Sequence, residues 1–243
     1  MTKRILLVGA GRSSFSLINY LISLLKENNW QLCIGDLDVG FLSEKFGSAE
    51  NVQVISFDIF NQEQKTKEIT KSDLVISMLP AKFHIHVAEV CAEHGINMIT
   101  ASYVTDEIKA LDEKFKAKGA ICVMEMGLDP GLDHMSAMKV LDRIKDKGYK
   151  LHAFETFTGG LLAPSTEDNP WQYKFTWNPR NVVLAGQGIV KFIQEGRFKY
   201  IPYHKVFRRT EVIHIPGHGY FEGYANRDSL KYVDSYELQD IQT

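Results

Sequence analysis

The sequence predicts an α/β protein: a parallel sheet flanked by helices over residues 1–125, followed by a mixed α+β half over 126–243. Three observations predict it. Short apolar runs alternate with helix-like stretches through the first half, the order that builds parallel strands joined by right-handed crossovers. The first run, Ile5-Leu6-Leu7-Val8, leads straight into Gly9-Ala10-Gly11-Arg12-Ser13-Ser14 and a helix-like stretch. From Leu151 onward the alternation gives way to prolines, irregular segments and short strands.

Strand, glycine turn and helix form the entry unit of a Rossmann-type dinucleotide-binding fold. Gly9 permits a tight turn, and Gly11 brings no side chain between the backbone and a pyrophosphate. The following helix aims N–H groups and a partial positive charge at the phosphates. Ser14 replaces the usual third glycine, so the motif alone also suits an apolar strand followed by a purely structural turn.

Residues 15–25 carry Leu17, Ile18, Leu21, Leu24 and Leu25 at helical spacing. Residues 31–35 form a second buried strand ending in Asp36. A carboxylate at that tip accepts hydrogen bonds from adenosine ribose hydroxyls and repels a 2′-phosphate, which favours NAD over NADP. Asp38 is a rival for the role. A short helix over 41–46 leads to a third strand at 52–57, with Asp58 behind it beside the adenine edge or in a solvated turn. A polar helix over 62–71 and a fourth strand at 73–80, closed by Pro80, continue the alternation.

Residues 82–95 read as a helix with Val87, Val90 and Cys91 inward. His84 and His86 diverge on it, so they are structural or exposed and share no metal. A fifth strand at 97–100 puts Ala101, Ser102 and Tyr103 at its carboxyl end, where ligands bind in open α/β sheets. A helix over 108–118 and a sixth strand at 120–124 complete the first half. The stretch Met126-Gly127-Leu128-Asp129-Pro130-Gly131-Leu132-Asp133-His134 holds Asp129 inside a constrained turn, and a helix from Asp133 runs to about 147. Asp129, Asp133 and His134 lack the further ligands of a metal centre, and no metal is expected. In the second half, 151–158 reads as a strand. Asn178-Pro179-Arg180 starts a helix running to about 194, and strands follow at 199–201 and 211–215.

The chain of 243 residues is 44% hydrophobic and 24% charged, the balance of a globular protein. A formal net charge of −2 argues against a nucleic-acid partner. No apolar run approaches the length of a membrane span, and a strand close behind Met1 leaves no room for a signal peptide. The three cysteines form no C-x-x-C pair and read as buried thiols of a cytoplasmic protein.

Together these stretches resemble the glutamate-forming saccharopine dehydrogenase family, also called saccharopine reductase. The carriers are Val8-Gly9-Ala10-Gly11, Ser77-Met78-Leu79-Pro80, Thr100-Ala101-Ser102-Tyr103-Val104 and the 126–134 stretch. They continue through Gly159-Gly160-Leu161, Asp168-Asn169-Pro170, Tyr173-Lys174-Phe175-Thr176-Trp177 and Asn226-Arg227-Asp228-Ser229. The resemblance implies an oxidoreductase of lysine metabolism. It would oxidise the C–N bond of saccharopine with a nicotinamide cofactor to give glutamate and 2-aminoadipate 6-semialdehyde, reversibly.

It also implies roles. Gly9, Gly11, Arg12 and Ser13 would hold the pyrophosphate and Asp36 the ribose. Asp58 and Ile59 would flank adenine, with Leu79 and Ala101 towards the nicotinamide. Ser102, Leu128, Asp129 and Pro130 would contact the cofactor, and Trp177 would close over it or lie in the core. Ser102, Tyr103, Asp129 and Arg227 would meet the substrate, the arginine as a bidentate clamp for a carboxylate. Asp129 is the candidate for the catalytic proton acceptor, with Tyr103 second. Family members usually continue well beyond the Asn-Arg-Asp-Ser stretch, so the second domain is expected to be incomplete. Its exposed apolar surface would favour association, such as a homodimer. Many fungal members carry a basic residue after the second strand and use NADP, whereas Asp36 points to NAD. Two other readings stay open: a dehydrogenase of another carboxylated secondary amine, and a dinucleotide-binding module without catalysis.

Overall fold

The computed structural model describes residues 2–166, 168–176, 179–185 and 187–243, which divide into two compact units, Met1–His134 and Met135–Thr243. The first unit is a six-stranded parallel sheet. Its strands are β1 (Lys3–Val8), β2 (Trp30–Asp36), β3 (Val52–Ser56), β4 (Leu74–Ser77), β5 (Asn97–Thr100) and β6 (Cys122–Val123), in the order β3-β2-β1-β4-β5-β6. Its helices are α1 (Phe15–Asn28), α2 (Gly40–Phe46), α3 (Gln62–Thr70), α4 (His84–His94), α5 (Asp106–Lys109) and α6 (Asp112–Ala117).

Strand residues alternate between two cores, as the pleat requires. Ile5, Leu7, Leu32 and Ile34 pack with Ile18, Leu21 and Leu25 of α1 and Leu42 and Phe46 of α2. Leu6, Val8, Val75 and Met98 face the other way, onto Ile69 of α3, Val87, Val90 and Cys91 of α4, and Phe115 of α6. Burial pushes the Cys33 and Cys122 thiols up to about 11 and raises Cys91 as well, so all three stay protonated and unreactive at neutral pH.

At the amino edge of the sheet, Arg4 bridges to Glu68 at 2.7 Å and to the Ser72 hydroxyl at 2.7 Å, tying the end of α3 to β1. The carboxyl edge is formed by the loops that leave the strands. The strand order reverses about β1, and in open α/β sheets ligands bind at such a point, between the loops that leave the two strands, here β1 and β4.

Two expectations are corrected in this unit. The helix over 108–118 is two short helices, because the Leu111 N–H turns back to Ile108 O and ends α5 while Leu111 itself is buried. The sixth strand pairs only at Cys122 and Val123, opposite Met98 and Ile99. Beyond it the chain bends at Glu125, whose φ is +59°. Residues 126–134 lie within the first compact unit.

The second unit contains α7 (Leu132–Asp146), nearly all of it beyond His134, then α8 (Pro179–Ala185), β7 (Val190–Gln194), β8 (Arg197–Ile201), α9 (Tyr203–Val206), β9 (Thr210–Ile215), β10 (Gly219–Tyr224) and α10 (Tyr232–Ser235). β7–β8 and β9–β10 are antiparallel hairpins. The strand expected at 151–158 does not form. His152 and Phe154 instead exchange single backbone hydrogen bonds with Gln242 and Thr243, too few for a ladder. The helix expected to reach 194 is replaced from Val190 by a strand. Glu195 and Gly196 adopt positive φ (+52° and +69°) and fold 190–201 into a hairpin. Among the described residues no helix is long and apolar enough to cross a membrane.

Candidate active site

The glycine turn leaves β1 at Val8 and enters α1 through a single 3-10 turn, Arg12–Ser14. Gly9 has φ +89°, and a Cβ there would lie 2.8 Å from Leu79 N as the chain leaves β4. Glycine is therefore required for the close approach of two strand ends as well as for the turn. Gly11 differs: its φ is −66°, and an added Cβ would meet nothing within 4 Å. Nothing in the chain's own packing demands glycine there, and the open space suits a pyrophosphate. Ser14, in place of a third glycine, is buried, and its hydroxyl donates to Gly11 O at 2.7 Å. The substitution thus closes the turn instead of breaking it. Ser13 is exposed beside it.

Asp36 ends β2 beside this turn. Its Oδ2 accepts the Ala10 N–H at 2.6 Å and its Oδ1 the Asp38 N–H at 3.1 Å. Each carboxylate oxygen retains a further acceptor direction for a ribose hydroxyl. Asp38 caps Gly40 N at 3.3 Å instead. Asp58 is exposed after β3 and accepts the Phe60 N–H at 2.9 Å. Ile59, next to it, is 6% exposed, and its side chain packs in the core. The neighbouring exposed ring is Phe60, which meets Phe83 edge-on at 5.4 Å. Leu79, partly buried, packs on the core behind Gly9.

The 126–134 stretch is folded against the end of β5. Met126 N–H donates to Thr100 O at 3.1 Å, and Glu125 N–H to Ser102 O at 3.0 Å. The Glu125 carboxylate takes the Val104 N–H at 3.0 Å and lies 3.4 Å from His134 Nε2. Within the loop, Gly127 N–H donates to Pro130 O at 2.8 Å and Gly131 N–H to Asp133 Oδ1 at 2.7 Å. The Asp129–Pro130 peptide is cis and Pro130 is buried, while Leu128 and Asp129 face outward. The Tyr103 hydroxyl donates to Asp129 Oδ1 at 2.6 Å. The structure thus brings the end of β5 and the loop together as one polar edge. Ala101 packs under Gly127, where an added Cβ would lie 3.2 Å from the alanine methyl.

In the second unit Arg227 is exposed with φ +49°, and its carbonyl accepts the Lys191 N–H at 2.8 Å. Lys191 also pairs with Asp228 at 2.8 Å. Trp177 and the expected cap Asn178 lie outside the described residues. Sequence reasoning missed one group near the edge: His84, 1% exposed, touches the hydroxyls of both Ser77 and Ser102. A histidine seven residues after the last residue of β4 carries no recognisable signal, because only the sheet order brings Ser102 to it.

Models of the saccharopine dehydrogenase NADP binding domain and of the saccharopine dehydrogenase C-terminal domain match residues 5–123 and 127–243. The mitochondrial alpha-aminoadipic semialdehyde synthase of Mus musculus is 34% identical over 244 residues, covering 99% of this chain and 26% of the relative. The NADP(+), L-glutamate-forming saccharopine dehydrogenase of Schizosaccharomyces pombe is 33% identical over 241 residues, covering 98% of this chain and 52% of the relative. The solved structure of apo histidine-tagged saccharopine dehydrogenase (L-Glu forming) from Saccharomyces cerevisiae aligns with a TM-score of 0.88 at 29% identity, over 99% of this chain and 53% of that one. The chain therefore spans about half the length of these fungal relatives and about a quarter of the mammalian one. With a dinucleotide-binding half and a C-terminal half that both match one family in this order, the chain belongs to the saccharopine dehydrogenase family.

Proposed function

We propose that this chain acts in the oxidation of saccharopine to glutamate and 2-aminoadipate 6-semialdehyde, with residues 1–125 as the cofactor half and 126–243 as the substrate half. The observation that carries the reading is the 2.6 Å hydrogen bond from Tyr103 to Asp129 at the carboxyl edge of the sheet. A bound nicotinamide dinucleotide supplies the acceptor for the hydride that leaves the substrate carbon next to nitrogen. The chain's residues manage the protons. Asp129, held outward by its loop, takes the proton of the secondary amine as the C=N bond forms. Tyr103 holds that carboxylate in place and shares its charge. The same pair then guides water onto the imine carbon, and the C–N bond breaks to release glutamate. Arg227 has the fork needed to hold one of the three substrate carboxylates.

We take NADP as the cofactor, supported by the names of the fungal relatives and of the matching domain model. Asp36 favours the second reading, NAD, through repulsion of a 2′-phosphate. The two N–H groups it accepts weaken that repulsion without removing it.

The test is reduced-dinucleotide formation by the chain, given saccharopine with NADP and, separately, with NAD. Turnover favouring NADP, lowered roughly a hundredfold or more in Asp129→Asn and lost in Arg227→Ala, is expected. Turnover favouring NAD would restore the Asp36 argument. Dinucleotide binding without turnover would leave a binding module and overturn the enzymatic reading.

A further inference from the structure

His84 opens α4, and its ring lies across the carboxyl ends of two central strands. Nδ1 is 2.8 Å from Ser77 Oγ, and Nε2 is 2.6 Å from Ser102 Oγ and 3.4 Å from Thr100 Oγ1. Ser77 and Thr100 end β4 and β5 and are register partners. Ser77, His84 and Thr100 are all at most 1% exposed. Such a cluster is tolerated only when its members satisfy one another, and apolar groups of the same shape would serve stability as well. Packing alone does not call for three polar side chains at this spot. The half-buried member of the set is Ser102, next in sequence to Tyr103 and joined through its carbonyl to Glu125 at 3.0 Å.

We propose that His84 is a positioning residue: its imidazole sets the direction in which Ser102 presents its hydroxyl to the bound dinucleotide and substrate beside Tyr103 and Asp129. The proposal rests on the reading of this edge as the reaction site. Burial pushes the His84 imidazole down to about 4, so the ring is neutral at physiological pH, with one nitrogen donating and the other accepting. It therefore takes one hydrogen-bonding direction from each serine. Where Nε2 accepts, Ser102 offers lone pairs to a ligand N–H; where Nε2 donates, Ser102 keeps its proton for a ligand oxygen. Either tautomer removes the free rotation of a hydroxyl that has no other anchor of this length among the described residues, and placement of that order is what reactive geometry requires.

Three variants of the full chain separate positioning from packing. In His84→Gln the amide occupies the place of Nε2 and keeps the bond to Ser102; in His84→Asn it occupies that of Nδ1 and keeps only Ser77; His84→Leu keeps neither. Positioning predicts that kcat for saccharopine oxidation falls roughly tenfold to a hundredfold in the Asn and Leu variants, with His84→Gln restored to near the native value. The KM for the dinucleotide should change little, and the order of kcat should not follow the order of melting temperatures. Rates that track melting temperature across all three variants would overturn the proposal. Ser102→Ala separates the underlying reading: if it leaves turnover and dinucleotide affinity unchanged, the site assignment itself is wrong.

A readout independent of turnover uses the native chain labelled with 15N-histidine. The His84 Nε2 resonance should shift in Ser102→Ala and again when NADP is added to the native chain. A resonance indifferent to both would show that the ring does not govern Ser102.

Discussion

Gly131 stands where any side chain would collide with the carbonyl oxygen of Gly127, and its φ of +151° is one that L residues rarely adopt. The same loop holds Asp129 outward, so one residue links backbone strain to the proposed proton acceptor. Gly131→Ala should lower stability by about 1–3 kcal/mol and reduce turnover beyond what the lost folded fraction explains; an unchanged denaturant midpoint would show that the loop does not depend on this contact. His84 makes a second residue-level prediction. Its folded pKa of about 4 lies below the ordinary histidine value, so the unfolded chain binds more protons as pH falls between the two. Its contribution is therefore fully present above about pH 6.5 and is lost as pH falls towards 4. Unfolding free energy should drop by about 1.4 kcal/mol per pH unit across that window relative to His84→Gln. Parallel pH profiles for the two proteins would contradict the burial of the ring.

At the level of elements, α3 is polar except for the buried Ile69 and starts where the Asn61 side chain accepts the Gln64 N–H at 3.0 Å. Losing that cap in Asn61→Ala should cost about 1 kcal/mol, read as a lower denaturant midpoint. The β7–β8 hairpin turns through Glu195 at φ +52°, a conformation that costs most L residues more than glycine or asparagine. Glu195→Asn should therefore raise stability by about 0.5 kcal/mol; a decrease would show that the Glu195 side chain serves a contact of its own. The long helix expected over this region failed for a physical reason. An Asn-Pro start signals only where a helix begins, and two residues with positive φ then reversed the chain into a ladder. The first-half strands were legible because residues buried on both faces read as continuous apolar runs.

For the molecule as a whole, dinucleotide binding at the glycine turn, where the strand order reverses, should make stability depend on the cofactor. NADP at roughly a hundred times its Kd should stabilise the chain by about 2.7 kcal/mol, seen as a raised melting temperature. Gly9→Ala should abolish most of that shift, because the added methyl pushes the turn from the end of β4. A shift with NAD alone would favour Asp36 as the discriminating group.

The parallel sheet, the glycine turn, the position of Asp36 and the constrained loop around Asp129 could all be read before any coordinates, because each is written in local spacing and backbone chemistry. The family, too, was legible in those short motifs. Which side chains meet was set only on folding. The order β1-β4-β5 puts Ser77, His84 and Ser102 within hydrogen-bond reach across 25 residues of chain, and folding of the 126–134 loop carries Asp129 to Tyr103, 26 residues away. Folding also sent the Ile59 side chain inward and left Phe60 outside. Contacts of this kind depend on strand adjacency and on which face a residue takes, and neither is encoded at the residue that makes the contact.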